Sequence, residues 1–119
     1  HWREESQHAI LDELEWRREN ERLTERERDQ AVDDLIELVV AVDGILRAQS
    51  EADANYFCLI AGRVFDAGER ERVRQGLLRA YRWQYILSGV QEPRFSSILG
   101  SLINEQQGDR IGTALCTLI

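Results

Sequence analysis

The chain reads as an all-α protein, a bundle of amphipathic helices. Two observations predict this. Long stretches place apolar residues at the 3.6-residue period of a helix, and nowhere do apolar and polar residues alternate as they would in a half-buried strand. A first helix is expected over residues 2–23, and a second, long one from 24 or 29 to 61, bent near Gly44. GRVFDAG then breaks the pattern, with Gly62 and Gly68 as punctuation. A third helix spans 69–88 and stops at SGVQEP, where Gly89 suits the residue after a helix end and Pro93 blocks continuation. A fourth covers 93–105. After the turn QQGD, Asp109 caps a last apolar helix through 119. No internal repeat and no long linker divides the chain, so residues 1–119 form one helical domain.

Composition narrows the classes. An apolar fraction of 43% suits a folded core, and one proline with eight glycines excludes a fibrous or low-complexity chain. No apolar run approaches the roughly 18 residues that a bilayer requires, and no charged-then-apolar leader is present, so a cytoplasmic protein with no membrane partner is expected. The net charge of −7 argues against nucleic acid. All fifteen basic residues are arginine, but they interleave with acids, as in RRENERLTERERD, and read as a solvated helix surface. Cys58 and Cys116 lack CxxC spacing and sit among apolar residues, which fits two buried free thiols in a reducing compartment. The chain lacks methionine altogether and begins inside a helical pattern without a capping residue. It therefore reads as the C-terminal part of a longer chain, and the bundle as a fragment of a larger one.

Chemistry is concentrated at the start, in HWREESQHAILDELEW. Both histidines lie here, and His1, Glu5 and His8 share one helix face. Asp12 and Glu15 continue that stripe, with Trp2, Ala9 and Trp16 along one border and Leu11 on the other. Aromatics flanking a polar stripe point it inward, where carboxylates and imidazoles need partners or a metal. Asp12, one turn after His8, is placed to orient an imidazole. On this reading Glu5, His8 and Asp12 are buried with Trp2 and Trp16 beside them. The other reading is an ordinary wet helix.

The long helix adds a second oddity. Val32, Ile36, Val39, Val40, Leu46, Ser50 and Phe57 form its apolar face, with Asp43 in the middle. A buried carboxylate must be paired or bound to a cation. Either Asp43 meets an arginine or bonds locally around the Asp43–Gly44 step, or it points towards the first helix as a metal ligand. Glu51 and Asp53 lie on wetter faces.

An ExxH helix followed by a long apolar helix with a lone acid resembles the ferritin-like di-iron carboxylate proteins. The HxxxExxH spacing is also similar to a ligand helix of the di-iron arylamine N-oxygenases. The resemblance implies a ferritin-like bundle, iron (or manganese) as cofactor, and an oxidoreductase acting on an unknown small-molecule substrate. Carried over by position, Glu5 would bridge or chelate, His8 would be a terminal ligand, and Asp43 would stand for the lone acid, with His1 beside them. The chain departs from that pattern because no histidine follows His8, and AYRWQYILSG offers Tyr81, Trp83, Gln84 and Tyr85 where relatives place ligands. Aromatics at that spacing read as core. Residues 1–119 are therefore expected to bind metal weakly or not at all. The alternative is a metal-free helical bundle that serves as a protein–protein interaction module or a homodimer.

Overall fold

In the computed structural model the described residues are 2–119, with side chains described from residue 3 onward. They are all-helical, with no strand among them. The helices are α1 (Trp2–Arg22), α2 (Glu25–Ile60), α3 (Ala67–Arg82), α4 (Ser88–Val90), α5 (Pro93–Leu102) and α6 (Glu105–Cys116). A π-helical turn, Trp83–Leu87, joins α3 to α4, so these form one continuous rod.

α2 is the spine. It starts at Thr24, whose hydroxyl accepts from the Glu27 amide while the Glu27 side chain returns to the Thr24 amide, a reciprocal capping box. It runs without interruption through Gly44 and stops at Gly62, which takes a φ of +75° that favours glycine. Asp66 and Glu69 repeat the capping box at α3, starting that helix earlier than expected. Glu92 caps α5 with Pro93 in its first turn. The QQGD turn is not formed. Asn104 caps α6 in a box with Gln107, and the four residues lie inside the helix instead of ending before Asp109.

Two apolar clusters hold the elements on α2. Leu46, Leu78, Ile86 and Leu118 pin the α3–α4 rod and the C-terminal residues to its second half. Val32, Leu99 and Ile111 pin α5 and α6 to its first half, and Leu115 packs against both clusters. Gln107, 1% exposed, donates to Asp29 at 2.7 Å and ties α6 to the start of α2. Arg110 adds ion pairs to Asp29 and Asp33.

α1 lies at the edge. Its ties come from its C-terminal half: Trp16 on Phe95 with ring centroids 5.8 Å apart, Arg17 donating to Ser101, and Arg94 donating to Glu13. The molecule is a slab of 58 × 37 × 18 Å, about two helices thick. Its radius of gyration is 18.5 Å, against about 13.5 Å for a compact domain of this length. Among the described residues no helix is long and apolar enough to cross a membrane. Both cysteines are free; Cys58 is buried as expected, but Cys116 is exposed, turned outward between Leu115 and Leu118, which face the core.

Candidate functional site

The residues expected to hold metal do not converge. Glu5, His8 and Asp12 are exposed, as is every described residue from Arg3 to Asp12. The inward stripe is thus corrected. α1 docks through its C-terminal half, and no described element covers Arg3–Asp12. Trp16, the described member of the aromatic border, packs on Phe95 instead of shielding a carboxylate. His1 and the Trp2 side chain lie outside the described residues.

Asp43 is buried, at 4% exposure, but it points to α3 and not to α1. Arg82 grips it side-on, Nε to Oδ1 at 2.7 Å and Nη2 to Oδ2 at 2.9 Å. Arg47 adds Nε to Oδ2 at 2.9 Å. These charge-assisted bonds, led by Arg82, hold the carboxyl below its ordinary pKa despite burial. Both oxygens are committed to guanidinium groups, so of the readings of Asp43 the structure takes the arginine pair. Among the described residues no group of three or more His, Cys, Asp or Glu side chains is arranged to hold a metal ion. Glu5, His8 and Asp43 do not fit an iron or manganese pair in this arrangement.

The aromatics of α3 also divide differently from expectation. Tyr81 packs against the core and donates its hydroxyl to Asp53 at 2.5 Å, which raises the phenol pKa. Trp83 and Tyr85 are exposed, at 53% and 62%. The π-helical turn that begins at Trp83 inserts an extra residue into the rod and shifts the phase of the residues beyond it.

What the fold does present is an unpartnered face on α2. Leu38, Ile45, Ala52 and Leu59 recur at seven-residue intervals, and the three large members are 60%, 66% and 80% exposed. Ala41 and Ala48 follow Leu38 and Ile45 by three residues, and Val42, Gln49 and Tyr56 follow Leu38, Ile45 and Ala52 by four. At 100° per residue this set occupies a sector of roughly 120°. No charged residue between 38 and 59 falls inside that sector; Asp53 borders it with its carboxylate bonded to Tyr81.

Beside the stripe run two open grooves between α2 and the α3–α4 rod. One, of about 570 Å³, is lined by Val42, Ile45, Gln49, Tyr81 and Tyr85 among others. The other, of about 260 Å³, is lined by Leu38, Val42, Tyr85, Gly89 and Phe95 among others. They share Val42 and Tyr85, so stripe and grooves make one continuous, mainly apolar surface, with Asp53 at the edge of the larger groove. No family model, no curated protein and no solved structure matches the chain.

Sequence reasoning missed this face because it assigned α2 a single apolar face. Of the residues assigned to that face, Val32, Leu46 and Ser50 are buried, but Val40 and Phe57 are exposed. The usable signal was the seven-residue recurrence of Leu38, Ile45 and Leu59, a second apolar stripe on a helix whose first stripe is already used.

Proposed function

We propose that this domain is a self-association module in which two copies pair along the outer stripe of α2. The observation that carries the reading is the uncharged heptad-spaced stripe of Leu38, Ile45, Ala52 and Leu59, largely open to solvent. Exposed apolar surface of this extent marks an interface in soluble proteins. Sustained seven-residue spacing is the pattern by which one helix packs along another. Ala41, Ala48 and Ala52 let two backbones approach closely, and a charge-free face asks for a charge-free partner. A second copy supplies that by two-fold symmetry.

The area supports it. The chain exposes 8894 Å², on the order of 2000 Å² more than a compact monomer of its mass. A standard interface takes about 800 Å² from each partner. Pairing would set two α2 helices and two α3–α4 rods together as a four-helix core shared by two chains, the form that a ferritin-like bundle would take here. The oxidoreductase reading has less support. It needs Glu5, His8 and Asp43 around one centre, and the fold leaves two in solvent while two arginines hold the third.

Light scattering behind size exclusion tests the proposal. The chain should elute at twice 13.8 kDa, and Leu38→Glu and Ile45→Glu should elute as monomers with unchanged helical circular dichroism. A wild-type chain that stays monomeric at about 100 µM, where a micromolar dimer is nearly complete, would overturn it.

A further inference from the structure

On the opposite side of α2 lies a cavity of about 410 Å³ walled by Arg47, Arg74, Arg79 and Arg82, with Leu118 and Ile119 contributing apolar surface. We infer that this cavity binds a small organic phosphate monoester. In a chain with 22 acidic residues, no residue of this wall is acidic. The arginines come from two elements. Arg74 and Arg82 lie two helical turns apart on one face of the α3 rod with Arg79 beside them, and Arg47 reaches across from α2.

The carboxylates behind the wall orient these groups without cancelling them. Asp43 takes Nε and Nη2 of Arg82 and Nε of Arg47, so one negative charge holds two guanidiniums and leaves Nη1 of Arg82 and both Nη atoms of Arg47 unused among the described residues. Glu71 takes Nε and Nη2 of Arg74. Glu51 is a more distant counter-charge on Arg74. Arg79 has no carboxylate partner among the described residues. Counted over side chains, four positive charges against Asp43 and Glu71 leave a surplus of two, reduced in part by Glu51. That surplus is matched by a dianion better than by a carboxylate. Guanidinium forks suit phosphate oxygens, and Asp43 and Glu71 set the directions of Arg47, Arg74 and Arg82 before a ligand arrives. The volume lies within the range of small-molecule sites and exceeds what inorganic phosphate fills, which leaves Leu118 and Ile119 to receive an apolar body.

Arg47 is two residues from Ile45, about 200° around the helix, so the site stays open when the stripe of α2 is covered. Its test is therefore independent of oligomeric state. Isothermal titration of the full chain with phenyl phosphate should show saturable binding, tighter than inorganic phosphate or benzoate and absent for phenol. Arg79→Gln and Arg47→Gln should each weaken it by about tenfold, the loss expected for one charge-assisted hydrogen bond. Both should keep the wild-type melting curve, since Arg82 still holds Asp43. No saturable binding of phenyl phosphate at about 10 mM, or wild-type affinity in both variants, or equal affinity for benzoate, would overturn the inference.

Discussion

Asp43 carries two guanidinium groups on one carboxylate, with its side chain 6% exposed and that of Arg82 15% exposed. Removing the acid would leave a nearly buried cation without a partner, so Asp43→Ala is expected to destabilise the fold by about 3 kcal/mol. Arg47→Ala should cost much less, because its side chain is 63% exposed and Asp43 keeps Arg82. The depressed pKa of Asp43 has a defined sign. The charged form is favoured in the fold, so its contribution is present above the ordinary aspartate value of 3.8 and is lost as pH falls through the lower folded value. Urea midpoints between pH 7 and pH 2 should fall below pH 4 for the wild type, and fall less steeply for Asp43→Asn. Glu71, held down to about 2 by Arg74, is exposed and should contribute little to the same curve.

At the scale of elements, Gln107 does two jobs. It closes the capping box with Asn104 at the start of α6 and ties that helix to Asp29 of α2, all at 1% exposure. Gln107→Ala should therefore cost about 2 kcal/mol, combining the lost side-chain half of the capping box and the lost bond to Asp29, which itself stays solvated and paired with Arg110. Thr24→Ala loses only a cap at an exposed helix start and should cost about 1 kcal/mol. Chemical denaturation of both variants measures the difference, and equal values would show that the Asp29 bond adds nothing. Thr24 was legible in sequence as one of two starts for α2, but the box at Asp66 was passed over for a start at 69. The box at Asn104 was passed over too, because Asp109 offered a cap after a glycine. In the fold Gln107 both closes that box and donates to Asp29, so the local cap and the tertiary contact favour the same start.

At the scale of the molecule, a slab two helices thick has more face than core. If α2 pairs with a second copy, stability depends on protein concentration through mass action. The melting temperature should rise with concentration for the wild type and stay constant for Ile45→Glu, read by circular dichroism over a hundredfold dilution series. The sequence by itself determined that the chain is helical, where most of its helices begin and end, and that Asp43 must have a partner, because period, caps and the cost of a buried charge are local properties. It could not determine which way α1 turns. A polar stripe bordered by tryptophans looks alike whether it faces a core or water, and only the docking of Trp16 and Arg17 on α5 left Glu5 and His8 exposed. The tertiary structure likewise chose Arg82 for Asp43 from among fifteen arginines, a pairing 39 residues apart in the chain. It also left the second stripe of α2 bare, because α3, α5 and α6 all pack against the first.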